Sequence, residues 1–267
     1  MTIVKMKTKP KVLVLKADGI NRDEELAFSF EISGGDAKIV HINDLRNGRE
    51  KLKNYHILAL PGGFAYGDDI ASGKILAVEL TSFFTEELKQ FISRKDTAVL
   101  GVCNGFQTLV RTGILPFRNI GKMDAILTNN DSGRFECRWV PVKVEKNSRC
   151  VFLENMPDEI MHYPVAHGEG KFFAEPEVLQ KIEREHLVAF RYTDKHGDPT
   201  LTYPNNPNGS INAIMGVTDK TGSVLGLMPH PECFTRREQH PNWRRMPSLK
   251  PQGLPLFKNI IDYVKKA

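Results

Sequence analysis

The sequence predicts an α/β fold with an open, mostly parallel sheet, helices on both faces of that sheet, and antiparallel strands added at its edge. Two patterns support this prediction. Up to residue 115, short apolar runs alternate with stretches of helical periodicity, which is typical of parallel strands joined by crossover helices. Beyond Leu115-Pro116, the stretch FECRWVPVKVEK alternates apolar and polar residues and is followed by turn-forming sequence, which favours antiparallel strands.

The first half contains four predicted strands separated by helical stretches. Asn21 is expected to cap the first helix, whose first turn carries three acids, and Gly34-Gly35 is expected to end it. A further helix is predicted from Ile75 to about Arg94. The four strands are KVLVLKA (residues 11–17), AKIVHI (37–42), HILALPGG (56–63) and TAVLGV (97–102).

The second half is predicted to contain two strands between Ser210 and Met228 and to end in a helix. The segment YPNNPNGS is expected to be a turn or ordered loop, because Pro, Asn and Gly cluster in it. The last residues, LPLFKNIIDYVKKA, indicate an amphipathic helix with basic residues at its C-terminal end. We predict one domain over residues 1–267, with an antiparallel excursion at about 121–205 and a C-terminal loop and helix at about 233–267.

Composition and charge argue against several functional classes. The 37 lysines and arginines are scattered among 32 acidic residues, so the net charge of +5 forms no basic run that would favour nucleic-acid binding. No apolar run reaches the ~18 residues of a membrane span, and the start MTIVKMKTKP lacks a signal peptide's apolar core, so a cytoplasmic location is expected. The four cysteines show neither the density nor the spacing of a disulfide framework or a zinc site.

The first candidate for chemistry is Cys103, which lies between an apolar strand and a predicted helix. Gly101 and Gly105 frame it in a Gly-x-Cys-x-Gly pattern, which indicates a nucleophile elbow. In such a turn the thiol stands at the carboxyl edge of the sheet, and the N–H dipoles of the following helix favour its thiolate form. Because the pattern is short, it also fits a small buried cysteine beside a tight turn.

The second candidate is the segment GLMPHPE, in which an apolar strand runs directly into His230-Pro231-Glu232. Pro231 fixes the local backbone, so the carboxylate of Glu232 can orient the imidazole of His230, which would act as a general base. Taken alone, the segment also fits a plain loop after an edge strand. The pairing with Cys103 favours catalysis, because the strand ends of an open α/β sheet meet where ligands bind.

The third candidate is Gly62-Gly63, at the end of the strand HILAL. The N–H groups of these glycines have no side chain beside them. Together with the N–H of Asn104, which follows the cysteine, they are predicted to bind a developing oxyanion, a contribution of about 3–4 kcal/mol per donor. A simple glycine turn is the alternative interpretation.

The segments PGG, GVCNGFQ and MPHPE, in this order, resemble the class I (triad) glutamine amidotransferases, which have a flavodoxin-like fold. The longer strings PGGFAYGDD, CNGFQTL, AHGEGKF, YPNNPNGS and GLMPHPE are similar to the glutaminase subunits of phosphoribosylformylglycinamidine synthase, and the similarity covers most of the chain. The resemblance implies that Cys103 is the nucleophile, His230 the base and Glu232 its orienting partner. It further implies that Gln107 helps to hold the substrate glutamine.

The same resemblance implies a division of labour between subunits. This chain would hydrolyse glutamine through a cysteine thioester and pass ammonia to a PurL-like synthetase subunit. That subunit would use ATP and magnesium to convert formylglycinamide ribonucleotide into its amidine in purine biosynthesis. A small PurS-like subunit is a further candidate partner. Since the chain has no Walker P-loop, nucleotide binding is expected in the synthetase, and no cofactor or metal is expected in this chain.

Two strings, AHGEG and NPNGS, are typical of this family in particular. Residues of these strings are predicted to line the glutamine pocket or a partner surface. His167 is not counted as catalytic, because nothing in its spacing gives it a chemical task, and a loop histidine with satisfied hydrogen bonds remains an alternative. The residues concerned are His167, Glu169, Asn206, Asn208 and Ser210.

The chain also departs from the family pattern. Asn21-Arg22-Asp23 stands where the family usually has Asn-Cys-Asp, and Cys233 stands where it usually has arginine. The basic tail at about 234–250 is interpreted as a partner-facing loop, with a solvated basic loop as the alternative.

Two other functions fit parts of the sequence. A stand-alone cysteine hydrolase or stress protein of the same fold would also use an elbow cysteine, but it would need neither glutamine nor a partner. A nucleic-acid-binding module is suggested only by the pI of about 8.9 and the arginines of the tail. Such a module would have no use for the three active-site segments. Release of ammonia from glutamine would separate the first alternative from the predicted function, and salt-dependent binding to duplex would identify the second.

Overall fold

The computed structural model describes residues 8–267, and a mixed sheet of nine strands runs through its centre. Two further short strands form a separate antiparallel pair. The strands are β1 (Lys11–Lys16), β2 (Asp36–His41), β3 (Ile57–Leu60), β4 (Ala98–Val102), β5 (Ile126–Thr128), β6 (Glu136–Val144), β7 (Met161–His167), β8 (Lys171–Phe173), β9 (Val188–Tyr192), β10 (Ile214–Thr218) and β11 (Val224–Leu227).

The strand order of the large sheet is β2-β1-β3-β4-β11-β10-β9-β6-β7. The first five strands in this order run parallel, and the other four are paired antiparallel. The predicted α/β class, with parallel strands extended by antiparallel ones, is confirmed. Because β4 and β11 are parallel neighbours, the residues that follow them come to the same edge of the sheet.

The helices lie between the strands in sequence and pack against the sheet. α1 packs against α7, whereas α3 packs against α4 and α5. Every residue of β3, β4, β10 and β11 is buried, which explains why these strands are continuous apolar runs. The helices are α1 (Asp23–Ile32), α2 (Ile42–Arg46), α3 (Lys74–Phe83), α4 (Thr85–Ser93), α5 (Asn104–Arg111), α6 (Pro176–Arg184) and α7 (Leu254–Lys266).

The stretch from Ile75 to about Arg94 is helical as predicted, but it forms two helices that meet at Phe84 rather than one. The backbone of Phe84 is non-helical, with φ −128° and ψ 15°, and its side chain is buried. The break lets two separate apolar faces reach the core, one centred on Leu80 in α3 and one on Leu88 in α4. Periodicity alone does not show where a helix changes direction to follow the core.

The predicted cap at Asn21 is wrong. The residue before α1 is Arg22, which makes no side-chain capping hydrogen bond. Instead, the N–H of Arg22 donates to the carbonyl oxygen of Gly62 at 3.2 Å, and a Cβ on Gly63 would lie 2.7 Å from the backbone nitrogen of Asn21. The entry to α1 is therefore fixed by close contact with the loop after β3.

Candidate active site

Cys103 occupies a strained turn between β4 and α5. Its backbone has φ 51° and ψ −105°, a conformation that a non-glycine residue rarely adopts and that costs about 1–3 kcal/mol. A Cβ on Gly105 would lie 2.0 Å from the carbonyl oxygen of Leu60, and one on Gly101 would lie 2.6 Å from a methyl group of Leu109. Glycine at both positions therefore allows the helix and strands to approach closely enough to form the elbow.

The thiol of Cys103 is held at the carboxyl edge of the sheet. The N–H of Cys103 donates to the carbonyl oxygen of Leu227 in β11 at 2.8 Å, and Sγ lies 3.6 Å from the carbonyl oxygen of Ala166 in β7. The residue is only 4% exposed. Since α5 begins at the next residue, the positive end of the helix dipole lies beside the sulfur.

His230 reaches the same place from the end of β11. Its N–H donates to the carbonyl oxygen of Pro164 in β7 at 2.9 Å, and its Nδ1 lies 2.6 Å from Oε1 of Glu232. Both side chains are buried. Within the described residues, Nε2 of His230 has no hydrogen bond of standard geometry, and it is the ring atom left to act on the cysteine.

Two effects oppose each other at His230. Burial disfavours the charged ring, whereas the negative charges of Glu232 and Cys103 and the hydrogen bond to Glu232 favour it, and the pKa of His230 is raised from 6.5. The ring therefore holds a proton at neutral pH. A protonated imidazole beside the nucleophile can supply that proton to a leaving amine.

Gly62 brings the third segment to the same point. A Cβ at this position would lie 2.7 Å from Cε1 of His230 and 3.4 Å from Cβ of Cys103. The backbone of Gly62 therefore touches both the imidazole and the cysteine. The three segments that the sequence singled out are brought together by the fold.

Two backbone N–H groups near Cys103 are predicted to bind an oxyanion. Gly63 has φ 145°, and its N–H donates to no backbone carbonyl within the described residues. Asn104 is the first residue of α5, where N–H groups lack an acceptor within the helix. Gly63 follows Gly62 and Asn104 follows Cys103, so both N–H groups lie near the thiol. An oxyanion hole made of these two donors stays a prediction.

Gln107, which was predicted to hold the substrate, is bonded mainly to the protein. Its Nε2 donates to the carbonyl oxygen of Glu169 at 2.6 Å, and its Oε1 accepts from Nδ2 of Asn104 at 3.1 Å. The side chain is 3% exposed. It therefore ties α5 to the loop after β7, and its direct contact with glutamine stays a prediction.

His167 lies in a buried network of neutral groups. Its Nδ1 is 3.2 Å from Oδ1 of Asn130, and its Nε2 is 3.4 Å from Nδ2 of Asn208. The same Nδ2 of Asn208 donates to the hydroxyl of Tyr192 at 3.0 Å. Burial and the positive charge of His230 lower the pKa of His167 to about 3, so its ring is neutral.

The NPNGS residues support this network from inside the protein. Asn206, Asn208 and Ser210 are at most 1% exposed. Oδ1 of Asn206 accepts from the N–H of Gly209 at 3.0 Å, and the hydroxyl of Ser210 donates to Oδ1 of Asn208 at 2.7 Å. At this depth they are not part of a partner surface, which removes one of the two predicted roles.

Three residues near the site were missed from the sequence. Asn130 accepts from the N–H of Gly170 as well as facing His167. Tyr192 is fully buried and lies close enough to Cys103 for the thiolate's charge to contribute to the raised pKa of its hydroxyl. Asp68 accepts a hydrogen bond from the side chain of Asn104. Asn130 and Tyr192 come from stretches without a recognisable motif, whereas Asp68 lies in the string PGGFAYGDD, which gave it no role. Only the folded chain shows the contacts of all three.

One group of potential metal ligands lies in the described part of the chain. The ligand atoms of His230, Glu232 and Cys233 are within 4.8 Å of one another. His230 and Glu232 are already bonded to each other, and a cation there would meet the positive charge of Arg22, which interacts with both Glu232 and Cys233. These residues are therefore better suited to proton transfer than to holding a metal.

A sizeable cavity lies away from these residues. It has a volume of about 540 Å³ and is lined by the sheet residues Leu15 and Leu58 and by α4 residues such as Phe91. No triad residue borders it.

Residues 8–267 contain no helix with the length and apolar character needed to cross a bilayer.

Comparisons with known proteins identify the family of this chain. A model of the CobB/CobQ-like glutamine amidotransferase domain matches residues 9–264. The chain is 41% identical over 261 residues to phosphoribosylformylglycinamidine synthase subunit PurQ of Dehalococcoides mccartyi, covering 97% of this chain and 99% of that protein. It is 38% identical over 275 residues to the PurQ subunit of Methanococcus maripaludis, covering 98% and 100%. A chain in the structure of PurLQS from Thermotoga maritima has a TM-score of 0.72 and 27% identity, covering 96% of this chain and 99% of that chain.

The chain therefore belongs to the CobB/CobQ-like glutamine amidotransferases, the class that its fold and converging segments define. The resemblance recognised in the sequence is confirmed. Within this class, its full-length similarity places it with the PurQ subunits of phosphoribosylformylglycinamidine synthase.

Proposed function

We propose that this chain hydrolyses glutamine to glutamate and ammonia and supplies the ammonia to the synthetase subunit of phosphoribosylformylglycinamidine synthase. Membership of the PurQ group supports both the reaction and the partner. The assignment of residues rests on one observation, which is that Gly62 touches both His230 and Cys103 while His230 is bonded to Glu232. A nucleophile, a base with its orienting carboxylate, and free backbone donors thus meet at one sheet edge.

In the first half of the reaction, Sγ of Cys103 attacks the side-chain amide carbon of glutamine. The carbonyl oxygen becomes an oxyanion, which the N–H groups of Gly63 and Asn104 stabilise. The C–N bond then breaks, and His230 gives its proton to the departing nitrogen, so that ammonia leaves. Glu232 stabilises the charged imidazole before that transfer.

In the second half, water attacks the carbonyl carbon of the glutamyl thioester. His230, now neutral, takes a proton from that water. The C–S bond breaks, glutamate leaves, and Cys103 returns to its starting state. The same two N–H groups hold the second oxyanion, so no further catalytic group is needed.

The remaining assignments extend this function. The synthetase subunit binds ATP and magnesium and consumes the ammonia, and a small PurS-like subunit joins the complex. Glutamine is the substrate held beside Cys103. A cytoplasmic location, the organisation as one domain, and a partner-facing role of the tail at about 234–250 stay predictions.

The experiment that tests the nucleophile uses a diazoketone analogue of glutamine, which alkylates a catalytic cysteine. We expect the intact protein to gain one adduct and peptide mass spectrometry to place it on Cys103. Cys137 is the matched control, because it is an exposed cysteine on β6, outside the three segments that carry the predicted site. Cys103→Ser should lose both the adduct and the release of ammonia, whereas Cys137→Ser should keep both. An adduct on Cys137, or ammonia release by Cys103→Ser, would overturn the assignment.

A further inference from the structure

The cavity between the sheet and α4, called the β1–β3 cavity below, has the size of a ligand site. Its volume is about 540 Å³, and it is lined by Leu15 of β1, by Leu58 of β3, and by Leu88 and Phe91 of α4. Protein interiors leave few voids larger than one water molecule, whereas small-molecule sites have volumes of about 300–1,000 Å³. The β1–β3 cavity is therefore too large to be a packing defect.

The cavity exists because the connection from β2 to β3 covers the sheet thinly. A connection between parallel strands usually carries a helix that packs on the sheet. Residues 42–56 contain only the five-residue helix α2 and a three-residue turn of 3₁₀-helix at Leu52–Asn54, whereas α1 and α3 have ten residues each. The turn packs against α4. The space that a longer helix would fill stays open beneath it.

The interior of the β1–β3 cavity is apolar and shielded from water. Leu15, Leu58, Leu88 and Phe91 are at most 2% exposed. None of the charged side chains that line the cavity is buried. Apolar walls offer ordered water no hydrogen-bond partners, and a cavity of this kind accepts apolar molecules instead. The body of a ligand that fits here is therefore apolar.

The rim carries two lysines without an acidic partner. Lys51 and Lys53 border the cavity, are exposed, and form no ion pair within the part of the chain that the structure describes. They flank Leu52, which also borders the cavity and is 7% exposed. The rim is open at Gly48, where a Cβ would meet no atom within 4 Å. A ligand that enters at this side passes the two ammonium groups.

Most other charges of the rim are neutralised by the protein itself. The carboxylate of Glu50 is paired with Lys38, and the guanidinium of Arg94 donates to the two carboxylate oxygens of Asp96 at 3.0 and 2.8 Å. Glu87 is the only acid lining the cavity that has no ion pair in residues 8–267. The charge left at the rim is therefore positive, which favours an anionic group on the ligand.

We propose that the β1–β3 cavity binds a small molecule with an apolar body and one anionic group, of the class of medium-chain carboxylic acids. The apolar body lies against Leu58, Leu88 and Phe91, and the carboxylate lies at the rim beside Lys51 and Lys53. Binding there goes beyond the glutaminase function and does not depend on it, because no triad residue borders the cavity.

The first test titrates the full chain with decanoate and with decanol by isothermal calorimetry, below the concentrations at which decanoate forms micelles. We expect decanoate to bind saturably at one site and to raise the melting temperature. Decanol has the same alkyl chain without the charge, so it should bind at least about tenfold more weakly. Absence of saturable decanoate binding, or equal affinity for the two molecules, would overturn the site.

The second test reverses the charge of the rim. Lys51→Glu with Lys53→Glu should weaken decanoate binding at least about tenfold, because both cations become anions. Both side chains are exposed, so the fold should tolerate the change. Lys89→Glu with Lys95→Glu is the matched control, since these exposed lysines do not line the cavity and their reversal changes the net charge equally. Its affinity should stay within about twofold of the wild type. Equal losses in the two variants would reduce binding to net charge and overturn a site at this rim.

The third test fills the cavity from α4. In Leu88→Phe the larger side chain enters free volume, so we expect the melting temperature not to fall and decanoate binding to weaken at least about tenfold. A folded Leu88→Phe chain with wild-type affinity would overturn the location of the site. A marked fall in the melting temperature would show that the ring overpacks the core, and it would overturn the cavity itself.

Discussion

His230 and His167 are both almost fully buried, at 4% and 3% exposure, yet the fold shifts them in opposite directions. His230 faces a carboxylate and a thiol, and its pKa is raised. His167 faces the side-chain amides of Asn130 and Asn208, and its pKa is lowered. Burial alone disfavours the charged ring at both positions, so only the charge of the partners reverses its effect.

The comparison is instructive because the two histidines share a sequence pattern. His230-Pro231-Glu232 and His167-Gly168-Glu169 both place a glutamate two residues after the histidine. Only Glu232 bonds to its histidine, whereas the carboxylate of Glu169 accepts from the N–H of Ser72. A His-x-Glu pattern therefore does not define a catalytic pair until the direction of the carboxylate is known.

The largest difference between the two histidine sites is expected when the charge of each glutamate is removed. Glu232→Gln keeps the shape but leaves His230 without a negative partner, and a change of this kind in a catalytic triad lowers kcat by about 10⁴-fold. Glu169→Gln is the matched control, and we expect it to lower kcat at most about tenfold, because its carboxylate does not bond to a histidine. Steady-state release of ammonia measures both. Equal losses in the two variants would show that the catalytic carboxylate is wrongly assigned.

A second test of the catalytic histidine changes Gly62, the glycine beside His230. In Gly62→Ala the new Cβ would lie 2.7 Å from Cε1 of His230, whose ring cannot turn away without leaving Glu232. A displacement of about 1 Å at the reacting groups lowers kcat by about 10²-fold. The melting temperature checks that the protein stays folded. Gly121→Ala, where nothing lies within 4 Å, should leave kcat unchanged despite its positive φ. Full activity in Gly62→Ala would contradict the convergence described above.

Substitution of Gly170, the corresponding glycine beside His167, should mainly lower the stability of the protein. A Cβ on Gly170 would lie 2.3 Å from Cε1 of His167, a ring held by two asparagines. Overpacking of this kind typically lowers the free energy of unfolding by about 1–3 kcal/mol. Chemical denaturation of Gly170→Ala measures the loss, and we expect kcat at low temperature to fall less than in Gly62→Ala. The reverse ranking of the two variants in kcat would make His167 part of the catalytic chemistry.

The smallest expected effect is a dependence of stability on pH. The unfolded chain binds a proton at His167 with a pKa of about 6.5, whereas the folded protein binds it only near pH 3. Protonation therefore favours unfolding, and stability falls by about 2 kcal/mol between pH 7 and pH 5. His167→Gln should remove this part of the slope. His230 acts with the opposite sign and mainly above pH 6.5, because its pKa is raised and its stabilisation is lost as the pH rises from that value. Identical slopes in wild type and His167→Gln would contradict a neutral His167.

The parts of the fold that local chemistry dictates could be predicted from the sequence. The parallel strands β1, β3, β4 and β11 contain continuous apolar runs, and the elbow needs small residues at fixed positions around Cys103, so both leave a local pattern. The break at Phe84 and the entry to α1 at Arg22 leave none, because each depends on a surface supplied by a distant segment. The same holds for Asn130 and Tyr192, whereas Asp68 lies in the quoted string PGGFAYGDD, which does not reveal its bond to Asn104.

The sequence by itself determined which side chains are available for chemistry, since a thiol on a Gly-flanked turn and an imidazole next to a carboxylate are properties of short segments. Only the tertiary structure decided which histidine is charged, because a pKa responds to burial and to charges from segments far away in the chain. It also decided that a cavity opens between the sheet and α4 and that Asp68 reaches Asn104. Short sequence patterns specify local conformation and residue type. The pKa values of side chains and the contacts between distant segments depend on distances that exist only after folding.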